Sequence, residues 1–86
     1  MQKVLYLVSK ESLEFFRNLI AAHPSSEQHI SVVLIHDGVG LREIPARRVY
    51  VLSDDVASRN VTPAFPMISY AEMLRMMFDA DSVVAL

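Results

Sequence analysis

Four short apolar runs, each rich in β-branched residues and bounded by polar ones, constrain the fold of this 86-residue chain most strongly. They read KVLYLV, ISVVLI, RVYVL and SVVAL, at Lys3–Val8, Ile30–Ile35, Arg48–Leu52 and Ser82–Leu86. Runs that stay apolar, without alternating polar positions, are typical of parallel strands covered on both faces. A fifth, very short strand is predicted at Met67–Ile68, after Pro66.

Helical patterns fill the segments between these strands. The first helix is predicted over Lys10–Ala22 with Ser9 as its N-cap. Its apolar arc is close to half of the circumference, wider than the ~100° that packing on one sheet requires. The residues at the excess edge, Phe15 and Leu19, are therefore the first interface candidates. A shorter helix follows the third strand, where Ser53 or Asp54 can cap it, and ends near Asn60.

The last helix has the clearest start signal. Ser69 and Glu72 form an S-x-x-E capping box. Five residues then follow at helical spacing and are predicted to form one core-facing stripe: Tyr70, Met73, Leu74, Met77 and Phe78. Met76 lies outside that stripe and is the second interface candidate, because methionine adapts to irregular surfaces.

Length and pattern together indicate one domain over residues 1–86, because a second would leave neither half enough core. Alternating strands and helices predict a three-layer α/β/α sandwich with a mostly parallel, four- to five-stranded sheet. Hydrophobic residues make up 52% of this short chain, so some must lie on the surface. Persistent exposed apolar patches are usually interfaces, so we expect an oligomer, with a homodimer as one form of the isolated chain.

Charge and targeting signals exclude several classes of function. The formal net charge is -2, and nucleic-acid modules normally carry a basic excess, so no direct nucleic-acid partner is expected. The first apolar run is shorter than the hydrophobic region of a secretory signal, and no stretch reaches the ~20 residues that span a bilayer. No cysteine is present, which removes thiol chemistry and disulfides. We therefore expect a cytoplasmic protein.

No set of residues in the sequence predicts catalysis, a cofactor or a metal site. His23 and His29 flank a polar loop and are expected to be exposed, whereas His36 ends a buried strand without an evident partner and is interpreted as structural. The chain has two glycines, too few for a dinucleotide or phosphate loop, so Asp37-Gly38 is interpreted as a turn. Zinc-ligand spacing is absent. We expect that this chain is not an enzyme.

Three segments in order carry a family resemblance. They read VVLIHDGV at Val32–Val39, VYVLSDDVASRNV at Val49–Val61 and ISYAEMLRMMFDADSVVAL at Ile68–Leu86. This ordered set resembles the DsrH/TusB family of the DsrE-like superfamily. The family pattern has a strand ending in Q-D-G-V, then V-Y-x-L-x-x-D-x-x-A-R-G, then a tyrosine-centred helix before a short final strand. His36 stands here where the family has glutamine, and Asn60 where it has glycine.

The resemblance implies a role in sulfur relay. It implies DsrE-like and DsrF-like (TusD/TusC-like) partners, which pass persulfide sulfur to a DsrC/TusE-like carrier. The destination is either 2-thiolation of the tRNA wobble uridine or dissimilatory sulfur metabolism. Because this chain has no cysteine, it is similar to the TusB-like members that hold no persulfide.

The residues that match the family pattern are interpreted as determinants of fold and interface. They are Asp37, Gly38, Val39, Asp55, Arg59 and Tyr70. The complete set of interface candidates is Phe15, Leu19, His36, Asp37, Arg59, Tyr70 and Met76. The alternative hypothesis is a free-standing small-ligand or regulatory module that uses His36, Asp37 and Asp55, at the edge of the sheet where functional groups gather in such folds.

Overall fold

The computed structural model describes residues 3–22 and 29–86 of the chain. All five predicted strands are confirmed to within two residues at either end. The elements in chain order are β1 (Val4–Val8), α1 (Leu13–Ala22), β2 (Ile30–Leu34), a 3₁₀ segment (His36–Gly40), β3 (Arg48–Leu52), α2 (Ser53–Arg59), β4 (Met67–Ile68), α3 (Tyr70–Asp79) and β5 (Ser82–Ala85).

The strands form one sheet in the order β4-β3-β2-β1-β5, and every neighbouring pair is parallel. From β1 to β4 the chain moves across the sheet in one direction, and α3 then brings it back to the far side of β1. Because parallel crossovers are right-handed, this reversal puts α3 on the opposite face from α1 and α2. The three-layer sandwich predicted from the sequence is confirmed.

Two apolar clusters hold the layers together. On the α1/α2 face, Phe16 of α1 and Val56 of α2 pack against Val8 and Val32 of the central strands. On the α3 face, the buried cluster is Leu5, Leu7, Val33, Leu52, Ile68 and Met73. Within residues 3–22 and 29–86, no helix combines the length and the apolar character that crossing a membrane requires.

The helix starts differ from the predictions in two places. The region after β1 forms a turn, because the Ser12 hydroxyl donates to the Ser9 carbonyl and accepts from the Ser9 N–H. The helix α1 therefore begins at Leu13 and not at Lys10, so the prediction of Ser9 as its N-cap was wrong. Capping of α2 by Ser53 or Asp54 was also wrong, because β3 passes directly into the helix and Leu52 is the N-cap.

Two predictions about helix ends are confirmed, one at the start of α3 and one at the end of α2. The Ser69–Glu72 capping box is formed in both directions, with the Glu72 N–H donating to Ser69 Oγ at 3.1 Å and the Ser69 N–H donating to Glu72 Oε1 at 3.0 Å. Asn60 follows α2 in the left-handed conformation, with φ 51°. Asparagine adopts this conformation more readily than most residues, which suits it to the position just after a helix.

The buried face of α3 is rotated from the predicted one. Met73 is buried, and Met76, Met77 and Ala80 pack partly buried against the same cluster. Methionine side chains are unbranched and flexible and so adapt to irregular packing surfaces. The predicted core stripe was therefore wrong for three members, which are large and exposed: Tyr70 at 53%, Leu74 at 36% and Phe78 at 89%.

Candidate functional site

A polar cleft lies where β1 and β2 end, at the carboxyl edge of the sheet. It is an open depression of about 290 Å³, lined by Ser9, Lys10, Glu11, His36, Asp37 and Arg59. The carboxyl ends of parallel strands are where such folds gather functional groups. The structure thus brings three of the predicted interface residues, His36, Asp37 and Arg59, into one place.

Arg59 is the centre of this cluster. Its Nε lies 3.0 Å from Asp37 Oδ1, and a terminal guanidinium nitrogen lies 3.4 Å from Asp55 Oδ1. Arg59 ends α2, Asp55 lies one turn earlier, and Asp37 follows β2, so the ion pairs join α2 to the 3₁₀ segment. Asp55 is the more sheltered of the two carboxylates, at 18% exposure against 62% for Asp37. Arg59 therefore has a pair of carboxylates on this chain as its partners.

His36 adopts a left-handed backbone conformation, with φ 52°. For a residue other than glycine this conformation costs of order 1 kcal/mol. The His36 N–H donates to Asp55 Oδ2 at 2.8 Å, which offsets that cost. Asp55 therefore holds the path of the chain at the end of β2, in addition to its favourable position at the start of α2.

Replacing Asp55 by alanine is expected to lower the free energy of unfolding by about 1–2 kcal/mol, because a charge-assisted bond to a strained backbone N–H is lost. Asp54→Ala is the matched control, since Asp54 is exposed and lies in the same first turn of α2. The control should change stability by less than about 0.5 kcal/mol. Urea unfolding of both variants measures the difference, and equal effects would assign Asp55 only a helix-dipole role.

Most polar side chains in and around this cleft already have a hydrogen-bond partner within the chain, which limits the chemistry that they can perform. Both carboxylates accept from the Arg59 guanidinium, and Ser9 Oγ lies 3.3 Å from Ser12 Oγ. Among the described residues, no three His, Asp or Glu side chains lie together in a way that could hold a metal ion. The arrangement fixes the ends of β2 and α2 relative to each other, and it offers a shallow polar surface to a ligand or a partner.

The other interface candidates lie away from the cleft. Phe15 is 59% exposed on α1, beside the fully buried Phe16, and Leu19 is partly buried. Tyr70 is exposed at the start of α3. Met76 is partly buried and packs against the α3-face cluster, so it belongs to that core more than to an open surface.

The other two histidines, His23 and His29, are the first and last residues of the segment between α1 and β2. His29 is partly buried, and not exposed as predicted, because it precedes β2 and lines a depression of about 130 Å³ at the amino edge of the sheet. His23 lies outside the described residues, so its predicted exposure stays a prediction.

One feature escaped sequence reasoning: a largely apolar groove of about 590 Å³ beside α1. Its walls are Arg17, Ile20, Ala21, Arg42, Glu43, Ile44, Pro45 and Phe65. The segment between the 3₁₀ segment and β3 supplies half of these residues, and it has neither helical nor strand periodicity. No local signal in the sequence could have placed it against α1.

Comparison with known proteins shows a similarity at the level of the fold. Neither protein families nor curated protein sequences give a match to this chain. Among solved structures, the ychN protein from E. coli is similar over 100% of both chains, with a TM-score of 0.77 and 20% sequence identity. At this level of identity the likeness concerns the fold alone, which is a five-stranded, all-parallel α/β sandwich.

Proposed function

We propose that this chain is a non-catalytic subunit of a cytoplasmic sulfur-relay complex of the DsrH/TusB type. In this role it provides assembly contacts to cysteine-bearing DsrE-like and DsrF-like partners. A DsrC/TusE-like carrier receives the sulfur without touching this chain, for tRNA wobble-uridine thiolation or for dissimilatory sulfur metabolism. The ordered motifs of the three segments support the family, and the fold shared with ychN is compatible with it.

The observation that carries the non-catalytic role is the complete absence of cysteine from the sequence. A persulfide must be bonded to a protein sulfur, and transfer requires a thiolate as nucleophile. The protein's sulfur atoms are all methionine thioethers, which can neither accept nor pass on a sulfane sulfur. Any relay step in the complex must therefore use cysteines of the partners.

The assembly role is supported by apolar side chains that stay exposed on the α1 layer. Phe15 projects from α1 at 59% exposure, although the adjacent Phe16 is fully buried. Leu19 lies one turn further on the same flank and is partly buried. A large exposed aromatic residue beside a leucine is a suitable anchor for a protein interface, because aromatic residues are enriched where partners are desolvated.

Purification of the native complex through a tag on this chain is the direct test. We expect cysteine-bearing DsrE-like and DsrF-like subunits to co-purify and to appear in the native mass. Phe15→Asp should strongly reduce their recovery, because it buries an unpaired charge in the contact. Asn18→Asp is the matched control, since it adds the same charge at an exposed position of α1. A wild-type chain that is recovered alone contradicts the proposal.

The polar cleft favours a second candidate, a small-ligand or regulatory module. His36, Asp37 and Arg59 line it, and polar side chains at the carboxyl edge commonly orient ligands. This candidate requires ligand-dependent thermal stabilisation of the isolated chain, because a ligand that binds only the folded state raises its stability. It becomes the leading proposal if no partner co-purifies and a ligand raises the melting temperature.

A further inference from the structure

The two edges of the sheet are built differently. At one edge, β4 has two residues and follows Pro66, and short strands and prolines are common means of blocking unwanted pairing. At the other edge, β5 has four residues, Ser82–Ala85, with no charge and no proline. Among the described residues, no strand pairs with the outer side of β5. An edge of this kind is a template for a further strand.

The backbone groups that β5 offers can be assigned from its pairing with β1. The Ser82 N–H donates to the Lys3 carbonyl at 3.2 Å, and the Leu86 N–H donates to the Leu7 carbonyl at 3.0 Å. Because successive residues of a strand alternate in direction, the N–H and C=O groups of Val83 and Ala85 point away from the sheet. These two residues therefore present two donors and two acceptors to an incoming strand.

We propose that β5 pairs antiparallel with β5 of a second copy of this chain, so that the two sheets join into one. A two-fold axis at Val84 places Val83 opposite the partner's Ala85 and Ala85 opposite the partner's Val83. Each of these two pairs exchanges both hydrogen bonds, so four bonds form and every outward group is used. The same patch on both copies makes a closed, two-fold symmetric contact.

The side chains of β5 are compatible with this register. Val83 and Ala85 are aligned with Leu5 and Leu7 of β1 and share the α3 face, so a large side chain meets a small one across the joint. The two Val84 side chains meet on the α1/α2 face in a pair without hydrogen bonds, where side chains approach most closely. No like charges oppose each other, since β5 has none.

Exposed apolar area near β5 supports an occupied edge. Val83 is 38% exposed, and Phe78, which three residues separate from β5, is 89% exposed. A two-fold axis perpendicular to the sheet keeps both α3 helices on the same side of it. An aromatic side chain carries about 150–250 Å², so Phe78 alone leaves roughly 130–220 Å² uncovered in the single chain. This inference does not depend on the sulfur-relay proposal, because it uses only the edge of the sheet.

Sedimentation equilibrium tests the inference by comparing the mass of the wild-type chain with the masses of variants in which β5 can no longer pair with a second strand. The wild type should have twice the 9.7 kDa mass of one chain at concentrations of about 100 µM or above. Ala85→Pro removes an outward N–H and should return the mass to one chain, without loss of any hydrogen bond to β1. Ala85→Ser keeps the N–H and is the matched control, which should retain the doubled mass. Val83→Lys is a second blocking variant, independent of proline.

Hydrogen exchange adds a residue-level readout. In the wild type, the Val83 and Ala85 amides should exchange more slowly as the protein concentration rises. In Val83→Lys, the Ala85 amide should exchange fast at every concentration. A wild-type chain that stays at 9.7 kDa overturns the proposal. So does a doubled mass that persists in both Ala85→Pro and Val83→Lys, because another surface would then join the copies.

Discussion

Gly38→Ala is expected to lower the free energy of unfolding by about 2–4 kcal/mol. A Cβ at this position would lie 2.7 Å from the Val8 carbonyl oxygen and 3.2 Å from Ser9 Cα. Both atoms belong to the backbone at the end of β1, so no side-chain rotation can relieve the contact. The 3₁₀ segment would have to move away from β1, which would also disturb Val39, a fully buried residue of the core.

Gly40→Ala is the matched control within the same 3₁₀ segment. A Cβ there would meet only Val61 Cγ1, at the ordinary contact distance of 4.0 Å. Neither glycine has a positive φ, so the two substitutions differ in space and not in backbone strain. We expect the control to be neutral or slightly stabilising, by less than about 1 kcal/mol. Equal losses in thermal or urea unfolding would show that the close approach to β1 is not what requires glycine.

Each residue of the HDGV motif, His36 to Val39, has a distinct physical role. His36 turns the chain in a left-handed conformation, and its N–H is held by Asp55. Asp37 forms an ion pair with Arg59, Gly38 permits the contact with β1, and Val39 enters the core. The motif interpreted from the sequence as a turn is a packed connection, and its first two residues line the polar cleft.

The layered fold could be predicted from the sequence because its determinants are local. Each strand is a short apolar run, and the capping box at Ser69 is a pattern of two residues three positions apart. The parallel arrangement follows from the same runs, because their continuous apolar character requires cover on both faces. The edge position of the last strand had no such signal, since strand order depends on pairing between distant segments.

The misplaced features depend on contacts between distant residues. The helical spacing of α3 is compatible with either its aromatic or its methionine flank facing the sheet. In the structure, Met73 and Met76 pack against the α3-face cluster. Arg59 pairs with Asp37, which lies 22 positions away, and no spacing rule connects them. The site residues could be named from the sequence, but their pairing required the sheet that brings β2 and α2 together.

Phe16→Ala is expected to lower the free energy of unfolding by about 3–5 kcal/mol, the largest single effect among the substitutions considered. Phe16 is fully buried and meets the ring of Tyr6 edge-on, with 5.2 Å between the ring centroids. A chain of this length has a total stability of roughly 4–13 kcal/mol, so the loss is a large part of it. The melting temperature should fall by at least roughly 12 °C.

Phe15→Ala is the matched control, because it removes the same side chain from the neighbouring position of α1. Phe15 is 59% exposed, so its loss should change the stability of the isolated chain by less than about 1 kcal/mol. The two variants separate the roles of the helix faces. Phe16→Ala should weaken the fold in isolation, whereas Phe15→Ala should reduce recovery of the partner subunits from a chain that remains as stable as the wild type. If Phe15→Ala is the more damaging to unfolding, then α1 packs on the sheet by the other flank, and the surface assigned to partner contacts is part of the core.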